Sequence, residues 1–111
     1  VITNQSGIGR GYYTEKDMIK LHDWMLNKIR LKGANIDKIY FSPYFKNSNH
    51  RKYRLNRKLR KPNIGMILQA KKDYKIILKK SILIGDSQTD MQTAINARIK
   101  HKILPFNCKL I

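Results

Sequence analysis

The sequence has little cysteine, little acid and no long apolar run, and each shortage excludes a class of protein. Its 111 residues include one cysteine, Cys108, which excludes an internal disulfide framework and a zinc site built from several cysteines. No apolar run approaches the ~20 residues that a membrane-spanning helix needs, and the polar residues 1–5 do not resemble a signal peptide. We therefore expect a soluble, cytoplasmic protein without a membrane partner, and a monomer.

The shortage of acid leaves the chain strongly basic. Seven Asp and Glu face 24 Lys and Arg, which gives a formal net charge of +17. Such a charge can bind nucleic acid by neutralising phosphates. However, Lys, Ile and Asn, all with A/T-rich codons, contribute 42 of the 111 residues. We therefore favour a compositional origin of the charge over nucleic-acid binding.

Apolar periodicity and turn residues predict alternating strands and helices in the first half of the chain. A strand over residues 1–3 precedes a polar, glycine-bearing loop over residues 4–11. Thr14 and Asp17 form a variant of the capping box, so a helix is expected from that point. Gly33 is expected to end this helix in a left-handed conformation.

The second half continues the alternation after a basic loop over residues 42–61, in which residues 46–61 contain eight Lys or Arg and no acid. We expect this loop to be exposed and irregular. A strand at 36–41 is predicted before the loop. After it we expect a helix from Gly65, with Met66, Leu68 and Ala70 as apolar residues. A buried strand at 81–84, a helix at 89–97 and a strand at 102–104 follow. Together they predict one α/β domain over residues 1–111, with a mainly parallel sheet, helices on both faces and right-handed crossovers.

Polar residues follow the predicted strands at the edge where such sheets bind ligands. Thr3 and Asn4 end the first strand, Asp86 ends a later one, and Lys61 precedes the second helix. Hydroxyl and loop amide groups donate to phosphate oxygens, a lysine neutralises phosphoryl charge, and a carboxylate suits Mg²⁺. The pattern therefore predicts a magnesium-dependent phosphoryl-transfer site, although no second acid ends a preceding strand as a nucleophile.

The order of these residues resembles the haloacid dehalogenase (HAD) superfamily of aspartyl-phosphate phosphatases. Within it, the chain is similar to the heptose-bisphosphate phosphatases of the histidinol-phosphatase-related branch over about residues 1–100. The strings that carry the resemblance are VITNQSGIGRGY at 1–12, RKPNIGM at 60–66 and GDSQTDMQTAINA at 85–97. The resemblance implies a partial Rossmann-like, three-layer fold. It also implies hydrolysis of a sugar phosphate, the 7-phosphate of a heptose 1,7-bisphosphate used for lipopolysaccharide.

The resemblance implies roles for individual residues. Thr3 would stabilise the phosphoryl group, Lys61 would neutralise it, and Asp86 would hold Mg²⁺. Asp90 would orient neighbouring groups or cap the third helix. The further substrate-binding residues that it implies are Asn4, Gln5, Ser6, Arg60 and Ser87.

The sequence departs from the family pattern at three places. The Asp-x-Asp motif, whose first aspartate attacks phosphorus and whose second protonates the leaving oxygen, is absent. We therefore interpret the chain as a phosphatase fragment or the product of a decaying gene, inactive alone. The lysine that usually follows Asp86 is Ser87, which weakens one contact with phosphate. Structural zinc is predicted absent, because its Cys and His ligands are replaced by Ser42, Tyr44, Arg57 and Leu59.

Two other functions stay open at this stage. A polynucleotide 3′-phosphatase of the same branch would share the first motif and would use the positive charge. A non-catalytic RNA- or DNA-binding module would use the charge alone. However, the basic loop contains only three aromatic residues, Tyr44, Phe45 and Tyr53, on which bases could stack. The residues that follow position 12 and those at 65–70 favour a small sugar phosphate over nucleic acid as the partner.

Overall fold

The computed structural model describes residues 1–104, which fall into two compact units, one from Val1 to Arg57 and one beginning at Lys58. Each unit contains a two-stranded parallel sheet. The α/β class and the parallel pairing are as predicted, but the described strands form two sheets rather than one. No helix in residues 1–104 is long and apolar enough to cross a membrane. Cys108 lies outside the described residues.

In the first unit two paired strands are connected along the chain by a long helix. Its elements are β1 (Ile2–Asn4), α1 (Ser6–Gly9), α2 (Glu15–Leu31), β2 (Tyr40–Ser42) and a 3₁₀ turn at Arg51–Tyr53. The predicted capping box is confirmed, because Thr14 Oγ1 accepts from the Asp17 amide at 3.1 Å and Asp17 Oδ2 accepts from the Thr14 amide at 2.9 Å. Gly33 follows the helix with a left-handed φ of 84°, which is also as predicted.

Two expectations for the first unit are wrong in detail. The polar loop over residues 4–11 contains α1, a single helical turn in which the Arg10 amide donates to the Ser6 carbonyl at 2.9 Å. The second strand begins at Tyr40 instead of residue 36, because β1 offers only three residues to pair with. The backbone bond from the Tyr40 amide to the Val1 carbonyl, 2.8 Å long, marks the start of this pairing.

The basic segment is not uniformly exposed, because Tyr53 is buried. Its ring is 9% exposed and belongs to a core cluster with Ile8 and Met18. The Tyr53 hydroxyl donates to Glu15 Oε1 at 2.8 Å, and the Tyr53 carbonyl accepts from the Phe45 amide at 2.8 Å. One aromatic side chain thus attaches the segment to α2, which corrects the expectation of an irregular exposed loop.

The second unit alternates helices and strands. Its elements are α3 (Gly65–Tyr74), a 3₁₀ turn at Leu78–Lys80, β3 (Ile82–Gly85), α4 (Gln88–Ala97) and β4 (Lys100–Ile103), after a 3₁₀ turn at Arg57–Leu59. In the β3–β4 pairing Ile82 lies opposite Lys100 and Gly85 lies opposite Ile103. The buried residues of α3 are Met66 and Ile67. Leu68, which was expected on the apolar face, is exposed.

The strand β3 is parallel as predicted, but it is not buried. Ile82 is 64% exposed and Ile84 is 59% exposed. These side chains share one face because they lie two residues apart in a strand, and Leu83 on the other face is half-buried. An apolar run indicates that a strand can be buried, whereas its burial depends on what covers each face.

Candidate active site

A neutral hydrogen-bonded chain lies at the C-terminal end of β1. Gln5 Nε2 donates to Thr3 Oγ1 at 3.0 Å, and the Tyr13 hydroxyl donates to Gln5 Oε1 at 2.5 Å. The Gln5 backbone amide donates to the Ser42 carbonyl at 2.8 Å, which fixes the main chain beside β2. The structure thus joins two of the predicted site residues, Thr3 and Gln5, and adds Tyr13, which the sequence did not indicate.

The guanidinium group of Arg10 lies beside Ser6, near the same end of β1. Arg10 Nε donates to Ser6 Oγ at 3.5 Å, and the guanidinium carbon lies 4.0 Å from the centroid of the Phe45 ring. Asn4 lies in β1 opposite Ser42. Polar groups and one positive charge therefore gather where parallel strands usually bind ligands. Arg10 was not singled out from the sequence, because nothing local places its side chain over Phe45.

A charged cluster forms in the second unit around Asp90. Lys61 Nζ donates to Asp90 Oδ1 in an ion pair whose two side chains are 13% and 9% exposed. The other carboxylate oxygen, Oδ2, accepts from the backbone amides of Asp86 at 3.2 Å and Ser87 at 3.3 Å, and from the Ser87 hydroxyl at 2.9 Å. Burial alone would raise the pKa of Asp90, but the bonds from Lys61 and Ser87 hold it below the usual value.

The carboxylates of Asp86 and Asp90 are suited to different tasks. Asp90 completes the capping box of α4 with Ser87, as expected, and both of its oxygens are occupied. Asp86 is exposed, and its carboxylate makes no hydrogen bond within residues 1–104. A hard oxygen ligand in this position fits Mg²⁺, which usually takes one or two carboxylates together with phosphate oxygens. Asp86 is therefore the better candidate ligand.

The helix α4 also holds the chain next to Lys61. Asn96 Nδ2 donates to the Pro62 carbonyl at 3.0 Å, and Asp90, in the first turn of the same helix, holds the Lys61 ammonium. Arg60, which precedes Lys61, is half-buried. The helix α4 thus contacts both the Lys61 side chain and the backbone of the next residue.

The two clusters lie in different units. Thr3 belongs to the first unit, whereas Lys61 and Asp86 belong to the second. The structure brings Lys61, Asp86, Ser87 and Asp90 together, and it separately joins Thr3 to Gln5. Their contact with one shared phosphate stays a prediction.

Comparisons with known proteins find similar phosphatases. Residues 58–101 match the model of the HAD-hydrolase-like family. The chain is 42% identical over 104 residues to the D-glycero-alpha-D-manno-heptose-1,7-bisphosphate 7-phosphatase of Burkholderia mallei (strain ATCC 23344), a match over 94% of this chain and 55% of that protein. It is 43% identical, over the same shares of both chains, to the enzyme of the same name from Campylobacter jejuni. Over residues 58–101 the chain is thus similar to the HAD-like hydrolases.

Solved structures support the same HAD-like fold. A protein described as an HAD-like phosphatase from Mesorhizobium loti superposes with a TM-score of 0.82 at 31% identity, over 89% of this chain and 48% of that one. The D,D-heptose 1.7-bisphosphate phosphatase of B. bronchiseptica, complexed with magnesium and phosphate, superposes with a TM-score of 0.78 at 27% identity, over 92% and 53%. The chain spans about half the length of the relatives it matches.

The resemblance implies zinc ligands at four positions, and one of them is fully buried in this chain. Ser42 is completely buried, and its Oγ has no hydrogen-bond partner in the described part of the chain. Tyr44, Arg57 and Leu59 are the other three replacements. Residues 1–104 contain no group of three or more His, Cys, Asp or Glu side chains that could hold a metal ion. The absence of zinc stays a prediction.

Proposed function

We propose that the protein containing this chain is a phosphatase that removes the 7-phosphate of D-glycero-D-manno-heptose 1,7-bisphosphate, a lipopolysaccharide precursor. The observation that supports the proposal is the Lys61–Asp90 ion pair, with the Asp86 amide bonded to the same carboxylate. A lysine ammonium is suited to phosphate, and the exposed carboxylate of Asp86 is of the type that Mg²⁺ prefers. Relatives at about 40% identity carry this activity in their names.

Lys61 would neutralise negative charge on the transferred phosphoryl group. Its ammonium is held by Asp90, whose pKa is lowered, so the carboxylate is ionised at neutral pH and keeps the lysine oriented. Preorganised charge of this kind contributes most of the stabilisation in phosphoryl transfer.

Asp86 would hold the metal ion, and the residues at the end of β1 would bind the substrate. When bound, Mg²⁺ neutralises phosphate charge and orients the phosphoryl oxygens. The Thr3 hydroxyl would donate to a phosphoryl oxygen. Substrate contacts are also proposed for Asn4, Gln5, Ser6, Arg60 and Ser87, although the Ser87 hydroxyl proton is already directed to Asp90.

The chain contains no Asp-x-Asp sequence, so we propose that it does not turn over by itself. An attacking carboxylate and a proton donor for the leaving oxygen are both required by an aspartyl-phosphate mechanism. None of the carboxylates described above fills either role, because Asp90 is engaged by Lys61 and Asp86 is assigned to the metal ion. A cytoplasmic location is proposed with this activity, since a bisphosphorylated sugar is too highly charged to cross a membrane unaided.

The test joins an Asp-x-Asp strand upstream of Val1 and measures phosphate release with Mg²⁺. Both anomers of the bisphosphate are assayed, because relatives are named for the alpha form and for the beta form. We expect Lys61→Ala and Asp86→Ala to lower kcat by at least about 100-fold. Lys72→Ala, an exposed lysine on α3, is the matched control and should be unchanged.

Two outcomes would contradict the proposal. The first is no release from either anomer. The second is release that survives both Lys61→Ala and Asp86→Ala. A 3′-phosphorylated oligonucleotide is assayed in parallel, because preferential hydrolysis of it would assign the net charge of +17 to substrate binding instead of composition.

A further inference from the structure

The Gln5 carboxamide lies between two hydroxyl groups, and its two ends are not equivalent. An amide oxygen only accepts hydrogen bonds, and an amide nitrogen only donates them. The Tyr13 hydroxyl donates to Gln5 Oε1, and Gln5 Nε2 donates to Thr3 Oγ1. The carboxamide is therefore oriented with Oε1 towards Tyr13 and Nε2 towards Thr3.

This orientation determines what the Thr3 hydroxyl can do. Because Thr3 Oγ1 accepts from Gln5, its own proton is available to another acceptor. If the carboxamide were reversed, Oε1 would face Thr3 and would take that proton. The direction of one amide group thus decides whether Thr3 is a donor to a ligand or to Gln5.

Glycine at position 7 leaves the space that the Tyr13 ring occupies. A Cβ atom at Gly7 would lie 2.3 Å from Cε1 and 3.0 Å from the hydroxyl of Tyr13. Such distances are far shorter than van der Waals contact, so a side chain at this position would displace the ring. The main chain of Gln5 is held by its backbone bond to the Ser42 carbonyl. The glycine therefore permits the contact between Tyr13 and Gln5.

We propose that Tyr13 is a positioning residue which, through Gln5, keeps the proton of the Thr3 hydroxyl directed to the substrate phosphate. The inference rests on the proposed function for the role of Thr3. It assigns Gln5 to the orientation of Thr3, in addition to its proposed place in the substrate pocket. Tyr13 itself need not touch the substrate, so its hydroxyl should affect kcat more than KM.

The first experiment measures the Gln5 side-chain amide by NMR in this chain, without substrate. Tyr13→Phe removes the hydroxyl and keeps the ring, so the shifts of the Gln5 Nε2 protons should move towards those of a solvated amide. Tyr12→Phe is the matched control, because Tyr12 is 76% exposed and its hydroxyl bonds to no described residue. Unchanged Gln5 shifts in Tyr13→Phe would overturn the proposal.

The second experiment uses the protein with the Asp-x-Asp strand added. Tyr13→Phe should lower kcat by about three- to tenfold, with KM within about twofold, as expected for one net hydrogen bond. In a Thr3→Val background the same change should have no further effect, because no hydroxyl is left to orient. Independent, multiplicative effects of Thr3→Val and Tyr13→Phe would overturn the proposal.

A second variant keeps the test decisive if Tyr13→Phe fails to fold. Gln5→Glu has nearly the same shape, but its ionised carboxylate only accepts, so it takes the Thr3 proton. Its kcat should approach that of Thr3→Val, and a wild-type kcat would contradict the inference.

Failure of the proposed function gives a different result. If the wild type releases no phosphate while the Gln5 shifts respond to Tyr13→Phe, the proposed function has failed and the contact is structural only, which also overturns the inference.

Discussion

The first turns of α2 and α4 contain the same hydrogen-bonded arrangement in different surroundings. In α2 the Thr14 hydroxyl lies 2.9 Å from Asp17 Oδ2, and in α4 the Ser87 hydroxyl lies 2.9 Å from Asp90 Oδ2. Both aspartates have a lowered pKa. Asp17 is exposed and caps its helix only, whereas Asp90 is buried and also holds Lys61. A local motif thus becomes part of a candidate phosphate site through one distant lysine.

The largest expected difference between the two turns is in stability. Asp90→Ala removes a cap and takes the Asp90 carboxylate away from the mostly buried Lys61 side chain, so we expect a loss of about 2–4 kcal/mol in the free energy of unfolding. Asp17→Ala removes a cap alone and should cost clearly less. Urea denaturation of both variants measures this, and equal losses would show that the Lys61 pair adds nothing to the cap.

The next prediction concerns pH. Because the folded pKa of Asp90 is lowered, its contribution to stability is present above the usual value of 3.8 and is lost as the pH falls through the folded pKa. The free energy of unfolding should therefore fall on acidification below pH 3.8, and less steeply in Asp90→Asn. The part of the slope due to Asp17 should remain. Parallel pH profiles for wild type and Asp90→Asn would contradict this assignment.

The smallest expected difference concerns the capping hydroxyls themselves. Thr14→Ala and Ser87→Ala each remove one hydroxyl that accepts from a backbone amide, at 3.1 Å and 3.2 Å respectively. Each should cost about 1 kcal/mol, and thermal unfolding should show the two losses within about 0.5 kcal/mol of each other. A much larger loss for Ser87→Ala would mean that this hydroxyl, in addition to Asp90, supports Lys61.

The parts of the structure that were predicted correctly depend on neighbours in the sequence. Thr14 and Asp17 lie three residues apart, and Gly33 ends its helix by its own conformational freedom. A capping residue needs only its own first turn, so it can be identified without the tertiary fold.

The parts that were missed depend on distant residues. Tyr53 packs with Ile8 and Met18 and donates to Glu15, 38 positions away. Tyr13 is connected to Thr3 through the side chain of Gln5. Ile82 and Ile84 are exposed although their strand is apolar. In each case the burial or contact of the side chain depends on which surfaces pack against each other in the fold. Composition and residue spacing carry little information about this packing.

Titration of the chain with inorganic phosphate, followed by amide NMR, tests the central claim that Thr3 and the Lys61–Asp90 pair bind one phosphate. The account predicts that the amides of Thr3 and Asp86 shift together with a single dissociation constant, and that Lys61→Ala weakens both responses. Shifts in one cluster without the other, or in neither, would contradict it.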